Sequence, residues 1–304
     1  MAKVLLKDFA EALGLKILLD GGQKYLNLIT ANVNRPGLHL TGFEDYFAEE
    51  RVQLLGKAEM TYLEQLDSET RKSALTVVLR HEIPAIIISR GMEMLPELSE
   101  LAKKYGRPVF RSELMTTVIM LEAINYLEHL LAVTITRHGV LVDVNGVGIL
   151  ITGESGIGKS ETALELVKRG HRLVADDSVI ISKLYRDQLI GTAPESIRHF
   201  MEIRGIGIID VRQMYGIGAV LVQKSIDLVV ELEAWNNEKV YDRLGEEEQY
   251  ISILGIKKPR IVLPVRPGRN LGIILEVAAN NYQLKGLGYN AAKELEKRFF
   301  QPQT

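Results

Sequence analysis

The chain has 304 residues, 46% of them hydrophobic and 25% charged, with a formal net charge of −2. That length and composition allow two globular domains with ample apolar cores, and the near-neutral charge without a basic run argues against nucleic-acid binding. The absence of cysteine excludes disulfides, thiolate zinc sites and cysteine nucleophiles.

No apolar run approaches the roughly 18 residues that span a bilayer. The first residues also lack the apolar segment and cleavage site of a signal peptide. We therefore expect no membrane segment. A chain without cysteine is compatible with a reducing compartment, so we expect a cytoplasmic location.

Residues 1–129 are predicted to form a small α/β domain, because short helical and strand patterns alternate along them. The predicted helices are 6–13, 96–105 and 115–129, and the predicted strands are 85–88 and 108–111. No catalytic constellation stands out in this domain, and the sequence assigns it no function.

A second predicted domain, 130–304, begins with a passage over residues 130–137. A strand then starts at His138, and Asn145-Gly146 is a two-residue hairpin turn that leads into a return strand, Val147 to Thr152. The hairpin pairs two strands antiparallel, whereas ordinary nucleotide-binding sheets are parallel at this point. The sequence therefore favours a mixed sheet in an α/β fold.

The return strand enters a segment that fits G-x-x-x-x-G-K-[ST], the phosphate loop of many nucleotide-binding proteins. Its residues are Gly153, Glu154, Ser155, Gly156, Ile157, Gly158, Lys159 and Ser160. Glycines let successive backbone N–H groups point at phosphates, the lysine brings positive charge to the outer phosphates, and the serine hydroxyl can bind Mg²⁺. A helix is predicted over 160–169, with Gly170 as its C-terminal stop.

After this helix, a strand is predicted over 172–177 that ends in two carboxylates, Asp176 and Asp177. Since successive strand residues point to opposite faces, we expect only one of them to face the loop. Further on, two prolines in the segment 264–270 hold two arginines in a stiff turn. Helices are predicted from about 271 and over 290–300.

Together these segments resemble the HPr kinase/phosphorylase family over essentially the whole chain, most closely from His138 to Asn270. The matching motifs are His138 to Val140, the phosphate loop, Val174 to Asp177, Glu202 to Asp210, Tyr241 to Gly245 and Pro264 to Arg269. The resemblance implies a small N-terminal α/β domain and a C-terminal phosphate-loop kinase domain similar to the nucleotide-binding core of phosphoenolpyruvate carboxykinase.

The resemblance also implies two reactions at one site. ATP or pyrophosphate phosphorylates a serine of the phosphocarrier protein HPr, and inorganic phosphate removes the group by phosphorolysis, which releases pyrophosphate. Mg²⁺ is the implied metal. Members of the family are usually homohexamers, many respond to fructose 1,6-bisphosphate, and their output is control of carbon-source use, including catabolite repression.

Residue roles follow from the resemblance, position by position. Asp177 is the expected general base for the serine hydroxyl, and His138 is expected to orient or deprotonate the attacking phosphate. Glu202 joins Ser160 as the expected second Mg²⁺ ligand, and Arg243 is expected to offset charge on the transferring group. Without the resemblance, His138 would be read as hydrogen-bonded scaffolding, and Glu202 as solvated surface.

The resemblance also implies that two further segments belong to the active site. One is the signature Glu202, Arg204, Gly205, Gly207 and Asp210, and the other is the phosphorolysis segment Pro264, Arg266, Pro267, Gly268 and Arg269. Arg204 could equally hold structure through a carboxylate partner, and Asp176 is left as a structural or supporting residue.

Two other functions remain open from the sequence. The loop could bind ATP only to set assembly or partner affinity, which would make this a nucleotide-gated interaction protein. Alternatively, the same core could serve a small-molecule kinase or a carboxykinase-like enzyme. An interaction switch requires neither a base nor a second metal ligand, so Asp177, Glu202 and Arg243 favour an enzyme.

Overall fold

The computed structural model describes residues 2–184, 187–239, 248–266 and 268–300, with the backbone only for 299 and 300. Contacts divide the chain into two compact units, Met1–Ala132 and Val133–Thr304, and each is considered by itself. The division follows the last helix of the first unit, which ends at Leu131, whereas the sequence suggests a boundary after residue 129.

The first unit alternates strands and helices. The strands are β1 (Ala2–Leu5), β2 (Lys16–Leu19), β3 (Tyr25–Leu28), β4 (Val33–Asn34), β5 (Val52–Leu55), β6 (Ile86–Ile88) and β7 (Val109–Arg111), and the helices are α1 (Leu6–Ala12), α2 (Lys57–Gln65), α3 (Ser68–Leu79), α4 (Pro96–Tyr105) and α5 (Thr116–Leu131). The helices and strands predicted in this unit are confirmed to within two residues at each end.

A five-stranded sheet of order β2-β7-β6-β5-β4 lies at the centre of this unit. The four strands β4 to β7 are parallel, and β2 pairs antiparallel with β7. Side chains alternate across the sheet, so Leu54 and Phe110 enter one core and Leu55 and Ile88 enter the other. Both faces are therefore buried, as expected for a parallel sheet between two layers of helices.

The second unit contains the remaining elements. The strands are β8 (Val133–His138), β9 (Val140–Val144), β10 (Val147–Gly153), β11 (Arg172–Ala175), β12 (Ser178–Leu184), β13 (Gln188–Thr192), β14 (Phe200–Ile203), β15 (Gly207–Asp210), β16 (Gln223–Ser225), β17 (Leu228–Ala234), β18 (Gln249–Ile253) and β19 (Ile256–Val265), and the helices are α6 (Lys159–Lys168), α7 (Val211–Tyr215), α8 (Leu271–Gly286) and α9 (Ala291–Phe300).

The main sheet has the order β11-β9-β10-β17-β19-β18. Strand β10 pairs antiparallel with β9 and parallel with β17, which is parallel to β19. The turn between β9 and β10 holds Asn145 at φ 52° and Gly146 at φ 85°, the left-handed pair that a type I′ hairpin requires. The predicted mixed sheet is confirmed.

A second sheet of order β16-β13-β12-β8 covers one face of the main sheet, and α6 and α8 cover the other. Leu141 and Leu150 point toward the second sheet, whereas Val142 and Ile149 point toward the helices. Within the described part of the chain, no helix is long and apolar enough to cross a bilayer.

The end of α6 is joined to α8 by a cluster of charged side chains. Glu276 on α8 accepts hydrogen bonds of 2.9 and 2.7 Å from Arg169, and its Oε1 lies 2.9 Å from Nε2 of His171. The Arg169 bonds, followed by that of His171, lower the pKa of Glu276 from 4.5 to about 2. This carboxylate is therefore anionic over the whole pH range in which proteins are usually handled.

Two local predictions in this unit are wrong. Residues 133–138 form β8 rather than a linking passage, and His138 ends that strand instead of beginning the next one. The side chains of β8 alternate mainly between exposed and half-buried, so the segment lacks the apolar run by which buried strands are recognised in a sequence.

Candidate active site

The loop between β10 and α6 is shaped by three glycines with positive φ, a conformation that side chains other than glycine rarely adopt. Gly153 has φ 137°, and a Cβ there would lie 2.4 Å from the carbonyl oxygen of Leu232 on β17. Gly156 and Gly158 also have positive φ, 83° and 101°. The loop therefore leaves the sheet close against β17 and turns into the N-terminus of α6, where free backbone N–H groups favour anions.

Lys159 is the first residue of α6 and is only 6% exposed. Its ammonium donates to the carbonyl oxygens of Gly153 and Glu154 at 3.0 and 2.9 Å. The charge is thus held beside the loop by the loop's own backbone. An ammonium in this position faces whatever anion the loop binds.

Ser160 donates a hydrogen bond of 2.8 Å to Oδ1 of Asp176. Asp176 is 5% exposed, and this burial raises the pKa of its carboxyl, while the Ser160 bond and a bond from the backbone of Glu202 act in the opposite direction. The sequence left the role of Asp176 open. Its position shows that it orients the serine hydroxyl of the loop.

Asp176 and Asp177 both line the space in front of the loop, so the expectation that only one carboxylate faces it is wrong. The alternation rule does not apply because β11 ends at Ala175, and Asp177 adopts a left-handed conformation with φ 63°. Oδ1 of Asp177 lies 3.0 Å from Nδ1 of His138, and both side chains are exposed, at 71% and 52%.

The hairpin of β14 and β15 brings the side chains of Glu202 and Arg204 to this space. Arg204, in the turn of the hairpin, donates to the hydroxyl of Ser155 at 3.4 Å. A Cβ on Gly156 would lie 2.6 Å from Nη1 of Arg204, so the guanidinium lies directly over the loop. Within the described residues, the contacts of Arg204 include no ion pair with a carboxylate.

These groups line a cavity of about 110 Å³ that is open to solvent. It is lined by the phosphate loop, the ends of β8 and β11, and the hairpin, namely by His138, Val140, Ser155, Gly156, Gly158, Lys159, Ser160, Glu161, Asp176, Asp177, Glu202 and Arg204. The lining combines two cations, Lys159 and Arg204, with the imidazole of His138 and the carboxylates of Glu161, Asp176, Asp177 and Glu202. Such an arrangement can hold a phosphate chain and accept a proton next to it.

Other predicted site residues lie elsewhere. Arg269 donates to the carbonyl oxygen of Pro264 at 2.8 Å, and the guanidinium carbon of Arg266 lies 3.2 Å from the centroid of the Trp235 ring. Asp210 caps α7 by accepting from the backbone of Gln213 at 3.0 Å.

Gly205 and Gly207 have positive φ, 83° and 106°, beside the hairpin turn, and Gly268 has φ 82°. Arg243 and Pro267 lie outside the described residues.

Glu161 also lines the cavity and was not singled out from the sequence, whereas Val140 lines it and entered the sequence analysis only as part of the His138 to Val140 motif. Glu161 follows Ser160 and carries no signal beyond its place beside the phosphate loop. Asp176 could have been recognised from its position at the end of a strand that neighbours the phosphate-loop hairpin.

Two family models match the chain. The model of the HPr serine kinase N terminus matches residues 4–127, and that of the HPr serine kinase C-terminal domain matches residues 129–299. The HPr kinase/phosphorylase of Caldanaerobacter subterraneus subsp. tengcongensis is 51% identical over 298 residues, 98% of each chain. That of Geobacillus kaustophilus is 50% identical and covers 98% of this chain and 96% of its own. A solved structure of the HPr(Ser) kinase/phosphatase from Coxiella burnetii covers 55% of this chain and 99% of its own, at 38% identity with a TM-score of 0.48.

Proposed function

The chain belongs to the HPr kinase/phosphorylase family, and we propose that it transfers a phosphoryl group from ATP or pyrophosphate to a serine of HPr. In the reverse direction, inorganic phosphate removes the group from HPr and leaves as pyrophosphate. One observation carries this proposal: the phosphate loop, the Asp177–His138 pair and the side chains of Glu202 and Arg204 line a single cavity.

In the kinase direction, Asp177 accepts the proton of the serine hydroxyl. The serine oxygen bonds to the terminal phosphorus of the donor, and the bond from that phosphorus to its bridging oxygen breaks, so ADP or phosphate leaves. In phosphorolysis, a phosphate oxygen attacks the phosphorus of phosphoserine, and the protonated Asp177 returns a proton to the serine oxygen. The exposure of Asp177 suits a base that must meet a hydroxyl on another protein.

His138 lies beside the base, 3.0 Å from its carboxylate. In phosphorolysis, an imidazole at this position can orient the attacking phosphate or accept its proton. Because His138 touches Asp177 directly, it also fixes the direction in which that carboxylate points.

Two cations and several backbone N–H groups would offset the negative charges of the phosphates. Lys159 and Arg204 bring two cations to the loop, and backbone N–H groups at the start of α6 add further donors. We propose that Arg243, outside the described residues, adds a third cation.

The donor set of the cavity fits Mg²⁺. Ser160, Asp176 and Glu202 offer only oxygen atoms, which are the ligands that this hard cation prefers. Among the described residues, no group of three or more His, Asp and Glu side chains could hold a metal alone, so phosphate oxygens would complete the coordination. Bound there, Mg²⁺ would neutralise charge on the phosphates.

Further parts of the proposal are supported by family membership alone. They are assembly as a homohexamer, response to fructose 1,6-bisphosphate, a cytoplasmic location and an output in catabolite repression.

The proposal is tested by incubating the protein with serine-phosphorylated HPr, Mg²⁺ and inorganic phosphate, without nucleotide, and following the products by phosphorus NMR. We expect pyrophosphate to appear in step with dephosphorylation. Release of phosphate alone would indicate a hydrolase, and no reaction beside normal ATP-dependent phosphorylation would indicate a one-way kinase. Failure to modify HPr in either direction would leave the interaction switch or the small-molecule kinase.

A further inference from the structure

The hairpin of β14 and β15 has two different faces. Met201 and Ile203 are 1% and 6% exposed and join the core of the second unit, together with the half-buried Ile209. Side chains alternate along each strand, so these residues mark one face of the hairpin. That face holds the hairpin on the domain.

The opposite face carries apolar side chains where polar ones are expected. Glu202 is paired with Ile208, and Phe200 with Asp210, so these four side chains lie on the outward face. Ile208 is 75% exposed, Phe200 is 45% exposed, and Ile206 in the turn is 76% exposed. The solvated face of an antiparallel hairpin is ordinarily polar, so this apolar surface needs a reason.

The apolar surface borders the cavity directly. Glu202, on the same face as Ile208, lines the cavity, and Arg204, two residues before Ile206, reaches the phosphate loop. The exposed side chains of Ile206 and Ile208 are therefore neighbours, along or across the hairpin, of residues that line the cavity.

We propose that Phe200, Ile206 and Ile208 form a docking surface for the protein substrate, and that they bind an apolar patch beside its acceptor serine. The proposal rests on the proposed function, because a serine must come within hydrogen-bond reach of Asp177, about 3 Å. The protein surface around that serine is then pressed against the rim of the cavity. A small hydroxyl compound would fit inside the cavity and would make no use of an apolar rim.

The test is the double variant Ile206→Ser/Ile208→Ser, assayed with HPr as the varied substrate at saturating ATP and Mg²⁺. We expect KM for HPr to rise about tenfold, since few residues dominate such interfaces, while kcat and KM for ATP change less than about twofold. The matched control is Leu121→Ser, which removes a 60% exposed side chain from α5 of the first unit and is expected to leave all three constants unchanged.

Three results would overturn the docking surface. An unchanged KM for HPr would do so, and so would a loss confined to kcat, which would mean that the hairpin acts on the chemistry. A shift in oligomeric state by size-exclusion chromatography with light scattering, with KM for HPr unchanged, would instead make this face a contact between copies of the chain.

Two controls keep the test decisive. If the wild-type protein does not phosphorylate HPr at all, the proposed function fails and the hairpin variants are not the cause. If the double variant melts at a clearly lower temperature, Ile208→Thr replaces it, because threonine keeps the β-branched shape that suits a strand. For this variant we expect a rise in KM for HPr of about threefold, and no change would refute the proposal.

Discussion

Nδ1 of His138, the last residue of β8, lies 3.0 Å from Oδ1 of Asp177, which immediately precedes β12. The two strands are paired antiparallel with His138 opposite Ser178, and the backbone N–H of Gly139 donates to the carbonyl oxygen of Asp177 at 3.1 Å. The second sheet of the domain therefore fixes the imidazole and the carboxylate relative to each other, in front of a loop that belongs to the main sheet.

Asp177→Asn tests the base. An amide keeps the size of the side chain but cannot accept the serine proton, so we expect kcat in the kinase direction to fall about a hundredfold or more. Because the side chain of Asp177 pairs with His138 and that of Lys159 bonds to Gly153 and Glu154, no hydrogen bond or ion pair joins the two, and ATP affinity measured by equilibrium binding should be unchanged. A kinase rate within twofold of wild type would remove Asp177 from the chemistry and would favour a nucleotide-gated switch.

Ser160→Ala tests the metal ligand. The hydroxyl is expected to bind Mg²⁺, and its removal also leaves the buried Asp176 without its 2.8 Å partner. We expect affinity for ATP at limiting Mg²⁺ to fall about tenfold, with a much smaller change when Mg²⁺ is chelated. Ser160→Thr, which keeps the hydroxyl, is the matched control. Equal losses with and without Mg²⁺ would mean that the hydroxyl acts on the loop rather than on the metal.

Arg269→Ala tests the phosphorolysis segment. The guanidinium donates to the carbonyl of Pro264 and so closes the segment on itself. We expect the rate of phosphorolysis to fall about tenfold more than the rate of the kinase reaction, since free phosphate depends on charged contacts alone, whereas a nucleotide has further groups through which it binds. Arg269→Lys keeps the charge without the fork of donors and should be intermediate. Equal losses in both directions would assign the residue to structure.

Glu276→Gln tests a stabilising ionic cluster away from the cavity. The pKa of Glu276 is lowered to about 2 in the folded protein, so its stabilisation is complete above the ordinary value of 4.5 and is lost as pH falls toward 2. The side chain is 22% exposed, and after allowance for solvent screening we expect the variant to lower the free energy of unfolding by about 1–2 kcal/mol at pH 7.

Urea unfolding at a series of pH values measures this effect, and the difference from wild type should shrink below pH 4.5. Glu100→Gln, which removes a 62% exposed partner of Lys72, is the control and should change stability by less than about 0.5 kcal/mol. A Glu276 effect that is constant with pH would mean that packing, not charge, is responsible.

Local signals in the sequence were sufficient to predict the phosphate loop, the β9–β10 turn and the helix after the loop, because the conformation of each depends mainly on residues that are neighbours in the sequence. The residue types at these positions favour a positive φ, and the structure has a positive φ at Gly153, Gly156, Gly158, Asn145 and Gly146. The mixed sheet followed from the hairpin alone. The likeness to phosphoenolpyruvate carboxykinase stays a prediction.

Long-range geometry was not accessible in the same way. Pairing of β8 with β12 places His138 beside Asp177, and nothing local to either residue specifies that pairing. The approach of Arg204 to Ser155 likewise depends on how a hairpin folds over a distant loop. The roles of these residues rest on the resemblance and stay predictions, whereas their proximity is a property of the fold.

The left-handed backbone at Asp177 restricts what this position can become. Asparagine and glycine tolerate φ near 63° with little strain, as aspartate does, whereas glutamate and most other residues would add roughly 1 kcal/mol or more of backbone strain. A change to glutamate, which keeps the charge, would therefore disturb the main chain as well as lengthen the side chain. A longer acid at this position would therefore carry a cost in backbone strain in addition to any effect on proton transfer.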